Sequence, residues 1–316
     1  MRKYELLKGY TYSLFFCGAV AFSSILIHDT NQSVNPYLSV FLTFLICTVW
    51  FNLVNVKYLA QLYSRIFSNR KIFFLINILT ALNWVTTFEA LKYIDPILYI
   101  SLFMGLTPIF TYFITTIQQK NEFKFKTILI SLSIACILII ITMLDKKSLS
   151  MVGNNNFNKG VILTVISSIA SSVYMIYSKK METKLALTAS QIVGTRFYVL
   201  VIYSGLVCLN GNCFSEIYNI QFSNFICLAL VSSIIPMYSI QKSIFYIGAV
   251  KTSFIIPFAP IFTYMILFFI RPDLPKELLP LLLILTGILF YNSVNTNLTS
   301  SKSRNLKLST DSKIVS

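Results

Sequence analysis

Apolar residues fall in long uninterrupted runs, and polar residues are confined to the short joints between them. The runs extend over about Tyr10 to Ile27, Tyr37 to Val54, Ile72 to Phe88, Pro96 to Ile117 and Thr127 to Leu144. A second series covers Gly160 to Tyr177, Gly194 to Leu209, Phe225 to Ile240, Ala249 to Ile270 and Leu278 to Val294. A helix rises 1.5 Å per residue and the hydrocarbon core of a bilayer is about 30 Å thick, so a crossing takes about 20 residues. The pattern therefore predicts ten transmembrane helices. The most loop-like internal stretch is Ser148 to Lys159, which carries the run Gly153-Asn154-Asn155-Asn156 and divides the series near its middle.

Composition supports lipid as the solvent. Of 316 residues 56% are hydrophobic and only 12% charged, more apolar surface than a water-soluble core of this size hides. The crossings leave no room for a sizeable soluble domain. A net charge of +15 raises the question of nucleic acid, but the basic residues form no aromatic-interleaved patch and sit in the joints. Topology accounts for them. With the N-terminus in the cytoplasm, 20 of the 26 Lys and Arg fall inside and 6 outside (Lys92, Lys146, Lys147, Lys159, Arg271, Lys276), the bias of a multi-pass protein with both termini cytoplasmic. An error of one span would swap every later loop and spoil this separation.

The six cysteines are scattered, show no metal-ligand spacing and read as membrane-packing thiols; the alternative is that Cys208 and Cys213, which flank one external loop, pair in an oxidising compartment. The single histidine, His28, stands at an external helix end. No Walker loop, GxSxG or HExxH is present, which argues against an enzyme and against direct ATP-driven transport, and no cofactor or metal is expected. Ala19-Val20-Ala21 resembles a signal-peptidase site, yet the apolar run continues past it to Ile27, as a first membrane helix does. Asn31-Gln32-Ser33 matches a glycosylation sequon, a motif short enough to arise by chance.

The two series echo one another. Tyr93-Ile94, Ser101 and Pro108-Ile109-Phe110-Thr111-Tyr112 recur as Tyr246-Ile247, Ser253 and Pro260-Ile261-Phe262-Thr263-Tyr264. With an odd number of spans per series, the second copy enters the membrane from the opposite face, making an inverted repeat, an arrangement typical of carriers.

At this point the chain resembles the EamA type of the drug/metabolite transporter superfamily over nearly its whole length. The resemblance rests on an aromatic segment, a spacer and a proline inside the fourth helix of each repeat (Ala90 to Pro108, Tyr246 to Pro260), and on Arg196 early in the second helix of the second repeat, where the first repeat has Leu42. It implies an all-α integral membrane fold of ten helices as two inverted five-helix repeats, residues 1–147 and 160–298, joined by 148–159 and followed by a disordered cytoplasmic tail, 299–316. The chain departs from the family in glycine content. Gly287 survives in the last helix, whereas the first half offers Ser131 and Ala135.

Candidate transport residues follow from the cost of polar groups at membrane depth. Pro108 and Pro260 lie about 16 to 18 Å into their helices, near the bilayer midplane, where proline removes a backbone hydrogen bond and provides a bend for gating. Asn83, Trp84, Tyr174, Tyr238 and Gln241 are candidates for the cavity wall, which the resemblance places among these helices, and Tyr99 and Tyr264 for stacking on a planar or cationic ligand. Serines 168, 171, 172, 232 and 233 read more simply as hydroxyls returned to their own helices. Glu89 is expected at the outer interface, paired with Lys92 three residues on. Arg196, Lys242 and Lys251 are expected to snorkel to the interface, with attraction of an anionic substrate group as the alternative.

The resulting expectation is a secondary carrier in a bacterial inner membrane. It would move a small organic metabolite or amino-acid-like compound by alternating access, with export favoured over uptake of a host-derived metabolite. Its partners would be the substrate and the lipid bilayer, not nucleic acid, with room left for a homodimer. A non-transporting scaffold or receptor is the rival reading.

Overall fold

The computed structural model describes residues 2–119, 125–150, 156–219, 222–270 and 277–288. The described residues are 93% helical and contain no strand. Eight helices among them are long and apolar enough to cross a membrane, compatible with a multi-pass membrane protein, and Leu278–Ile288 is a shorter apolar helix. Residues 151–155 of the expected central joint, Arg271, Lys276 and the expected tail lie outside the described residues.

In chain order the helices are α1 (Arg2–Ser33), α2 (Pro36–Val54), α3 (Leu59–Ser68), α4 (Arg70–Tyr93), α5 (Pro96–Gln118), α6 (Phe125–Ser150), α7 (Phe157–Leu185), α8 (Ala189–Gly194), α9 (Tyr198–Asn210), α10 (Phe222–Ala229), α11 (Ile235–Ile247), α12 (Ala249–Ile255), α13 (Ala259–Ile270) and α14 (Leu278–Ile288). Starts are encoded locally. α2 and α5 each begin with a proline behind an Asn35 or Asp95 cap, whose side chain accepts from the amide of Tyr37 or Ile97 at 2.9 Å. Proline gives up no helical hydrogen bond in the first turn, and the cap satisfies an amide that would otherwise be free. Thr188 and Gln191 form a capping box at α8.

Interruptions concentrate in the later helices. The span Ala189–Asn210 breaks between α8 and α9 at Thr195 to Phe197. The span Phe225–Ile247 passes through a π-helical turn at Leu230–Ile234, just ahead of Pro236. A 3₁₀ turn at Ile256–Phe258, containing Pro257, separates α12 from α13. By contrast α5 remains α-helical through Pro108.

Packing is reciprocal. α1 lies along α11 and α4 along α7, and each contact contains a close backbone approach at a glycine. A Cβ on Gly9 would come within 2.4 Å of Ile247 Cγ2 and 3.1 Å of Tyr246 Cβ; one on Gly160 would come within 2.7 Å of Ile94 Cγ2 and 3.2 Å of Tyr93 Cβ. The Tyr-Ile pairs that meet these glycines are the first members of the sequence echo.

Several local expectations need correction. Leu59–Ser68, expected as loop, is a short amphipathic helix that buries Leu62 and Ile66, and its Arg65 reaches the Leu185 and Ala186 carbonyls at the end of α7 at 3.4 and 3.5 Å. Glu89 pairs with Lys159 of α7 at 3.8 Å, while Lys92 is exposed. Three residues apart on one helix was the wrong criterion, because Lys159 also binds the Tyr93 hydroxyl at 2.9 Å and is held there. The alternative pairing of Cys208 with Cys213 is not formed: both are buried free thiols, in keeping with the reading of the cysteines as packing residues. His28 does more than end a helix: its Nδ1 lies 2.7 Å from the Leu91 carbonyl, and Asn31 Nδ2 donates to the Phe88 carbonyl at 2.8 Å, tying the end of α1 to α4.

Candidate functional site: a central cavity with a buried arginine

A cavity of about 70 Å³ sits among α1, α4, α5, α7, α11 and the breaks at Arg196 and Ile256. That is room for a few waters, about half the ~150 Å³ in which an apolar cavity takes up benzene, so a larger ligand requires the walls to part. Its walls are mostly apolar and aromatic, and among the described residues no Asp or Glu lines it. Among the sequence candidates it brings together Asn83, Trp84, Tyr99 and Tyr174.

One wall is a hydroxyl network. The Thr87 hydroxyl donates to the Asn83 backbone carbonyl at 2.7 Å and lies 2.7 Å from the Tyr99 hydroxyl and 3.0 Å from that of Ser167. Ser167 also bonds Asn83 Oδ1 at 2.9 Å. Trp84 packs against Phe44 with ring centroids 4.7 Å apart, and its indole N–H finds no acceptor among the described residues.

The opposite wall is built around a backbone break. In the interval between α8 and α9 the helical ladder lapses, and the freed groups are served from elsewhere in the fold. Asn52 Nδ2 donates to the Gly194 carbonyl at 3.1 Å, and Asn77 Nδ2 to the Thr195 carbonyl at 2.9 Å. Asn77 Oδ1 in turn faces the Val199 amide at 3.5 Å. Such partners are needed because an unpaired backbone group away from water costs about 1 to 3 kcal/mol.

Arg196 occupies this break and projects into the cavity. It is only 3% exposed, so the expected snorkelling to the interface does not occur and it belongs to neither side of the charge count. Its Nη2 donates to Met237 Sδ, and the guanidinium lies over the rings of Tyr174 (4.4 Å) and Phe197 (4.7 Å). Nε and Nη1 have no hydrogen-bond partner, and among the described residues no carboxylate pairs with Arg196. Leaving a buried charge unpaired typically costs about 3 to 5 kcal/mol. A desolvated cation over a ring recovers about 2 kcal/mol. The rings therefore cushion the charge without neutralising it.

The remaining candidates lie elsewhere. Gln241 is fully buried one layer behind the wall, where its Oε1 accepts from Tyr174 at 2.7 Å and Ser178 at 2.9 Å and so fixes the Tyr174 ring. Tyr238 lines a peripheral groove with Tyr12 and Trp50, and Tyr264 stacks on Phe268 beside an apolar groove near Leu279. Neither reaches the central cavity. Ser171 lines the cavity, whereas Ser168 and Ser232 return their hydroxyls to the Thr164 and Leu228 carbonyls.

Pro108 is buried inside α5 and Pro260 in the first turn of α13, and the residues four before them, Met104 and Ile256, line the cavity. Pro108 lacks the N–H that would bond the Met104 carbonyl, whereas the Ile256 carbonyl accepts from the Ala259 amide in the 3₁₀ turn. The Ile256 carbonyl has the Cys17 thiol at 3.6 Å, and the neighbouring Thr107 carbonyl accepts from Ser172 at 3.0 Å.

No family model and no curated protein matches the chain. Among solved structures 23 chains match. One of these, described only as "Crystal structure of protein", superposes with a TM-score of 0.60 over 92% of this chain and 95% of that chain at 15% identity. At that identity the likeness shows the fold alone.

Proposed function

We propose that this chain is a secondary carrier that moves a small organic metabolite across a bacterial inner membrane by alternating access, as an EamA-type member of the drug/metabolite transporter superfamily. In this reading it has ten spans in two inverted five-helix repeats, residues 1–147 and 160–298, with both termini in the cytoplasm. Export is favoured over uptake.

The observation that carries the proposal is the central cavity to which both halves contribute matched, proline-loosened helices. Pro108 and Pro260 of the sequence echo each stand four residues after a residue lining the same space, Met104 and Ile256; the Ile256 carbonyl accepts from the Ala259 amide in a 3₁₀ turn in place of a helical bond. A carrier needs a midplane site bordered by helix segments whose backbone is free to bend, and irregular backbone at membrane depth is tolerated where it lines such a cavity. The reciprocal Gly9 and Gly160 contacts support inverted repeats, because each joins the first helix of one half to the Tyr-Ile pair of the other.

The test is flux. Full-length protein in liposomes loaded with a pool of small metabolites should give saturable accumulation, accelerated by the same compound on the far side. Asn83→Ala and Trp84→Ala should reduce it at least tenfold. If compounds that stabilise the purified protein show no saturable movement, the scaffold or receptor reading replaces the carrier.

A further inference from the structure

We propose that the ligand of the central cavity is a small monocarboxylate with a compact apolar or aromatic body, and that Arg196 is the group that binds its carboxylate. The inference rests on the cavity being the ligand site of the proposed carrier, and it goes beyond that reading by fixing the charge and shape of the ligand.

Among the described residues, the buried side-chain polar atoms that line the cavity without a partner are donors. Arg196 Nε and Nη1 and Trp84 Nε1 are buried, belong to residues lining the cavity and have no acceptor among the described residues. The lining carries one formal positive charge and no carboxylate, so a monoanion neutralises it, whereas an organic cation meets a charge of its own sign. A guanidinium is planar and matches a carboxylate in geometry as well as charge. Tyr174 and Phe197 hold that plane between rings, and Gln241 locks Tyr174 from behind.

The rest of the ligand is indicated by what surrounds the arginine. Phe16, Val20, Phe103, Met104 and Ile256 offer nothing to a second charge, which argues against a dicarboxylate or a phosphate ester. Their apolar surface also gives a reason for an organic body rather than a bare inorganic anion. A separate cleft, at the bundle end where α5 closes and α12 begins, is lined by Lys179, Lys180 and Lys251 and, among the described residues, by no carboxylate. Lys179 is engaged by Glu182 at 2.7 Å just outside it, and the remaining charge favours the approach of anions.

The experiment is thermal stabilisation of the full-length protein in detergent by benzoate and isovalerate, by their neutral amides benzamide and isovaleramide, by benzylamine, and by chloride. The expected result is saturable stabilisation by at least one carboxylate, with its amide at least tenfold weaker and benzylamine and chloride inactive. Arg196→Met should fold with a melting temperature equal to or above that of the parent, since it removes an unpaired buried charge, and should lose the carboxylate response. Arg196→Lys should retain a weakened response, and Trp84→Phe should weaken it without abolishing it, so the assignment stays testable if Arg196→Met fails to fold.

Stabilisation by neither carboxylate, equal binding of acid and amide, preference for benzylamine, chloride matching the carboxylates, or a response unchanged in Arg196→Met would each overturn the proposal. Carboxylate binding without flux would leave it standing and remove the carrier reading. Flux of a compound without a carboxylate, indifferent to Arg196→Lys, would do the reverse.

Discussion

In the proposed repeat α2 and the α8–α9 pair stand at equivalent places, yet one is a continuous helix and the other is broken. α2 runs unbroken from Pro36 to Val54 and turns Leu42 into the core. Its counterpart stops at Gly194, resumes at Tyr198 and presents a charge at the break. The difference shows how the fold divides its labour. The regular first half provides Asn52 and Asn77, which satisfy the broken backbone of the second, and the second half uses that support to hold Arg196 inside the bundle. α5 and the α12–α13 pair, the proposed fourth spans, repeat the contrast more mildly. α5 carries Pro108 preceded by Gly105 and stays helical, whereas Pro257 and Pro260, three residues apart, leave a 3₁₀ turn between α12 and α13.

If the break depends on imported partners, Asn77→Leu is the change that damages it most. It strands the Thr195 carbonyl and the Val199 amide together, and should lower stability by about 2 to 4 kcal/mol, measured as a drop in melting temperature in detergent. A melting temperature within error of the parent would show that the break sustains itself and would dissolve the contrast between the halves.

Next in size are the reciprocal glycine contacts. Gly9→Ala and Gly160→Ala each force a methyl into a β-branched neighbour, at a cost of about 1 to 3 kcal/mol. Equal losses would sharpen the equivalence of the α1–α11 and α4–α7 contacts. Loss from only one would mean that the two seams carry different loads.

The smallest effect belongs to α2. The hydroxyl of Thr43 is buried and unpartnered in a regular helix, so Thr43→Val should leave stability unchanged or raise it by up to about 1 kcal/mol. A clear loss would indicate that α2, too, depends on a polar contact.

The long helices were legible because burial in lipid demands long apolar runs, and the starts of α2 and α5 because Asn35-Pro36 and Asp95-Pro96 combine a cap with a first-turn proline. Asn83, Trp84, Tyr99 and Tyr174 were nominated by the same reasoning that a polar or amphipathic side chain at membrane depth needs a cause, and they share one cavity. That reasoning did not separate them from Tyr238 and Tyr264, which face peripheral grooves, since a tyrosine on a membrane helix looks the same in sequence whichever way it turns. Arg196 was visible as a basic residue in an apolar run. Its distance from the span end suggested an interfacial position, and the signal that pointed inward, buried asparagines in two other helices, becomes meaningful only when they meet the α8–α9 break. Glu89 carries the same lesson, its partner lying on another helix.

By itself the sequence determined that this is a chain of long apolar helices with basic joints, because hydrophobicity and helix length are properties of consecutive residues and need no tertiary contact to be expressed. It also determined where proline deprives a helix of hydrogen bonds. Tertiary structure alone decided which of those helices break, which side chains satisfy the broken backbone, and that an arginine with no carboxylate partner faces the interior. Those outcomes turn on groups distant in the chain, such as Asn52, Asn77 and Arg196, whose hydrogen bonds and charges act through space and exist only once the helices are packed.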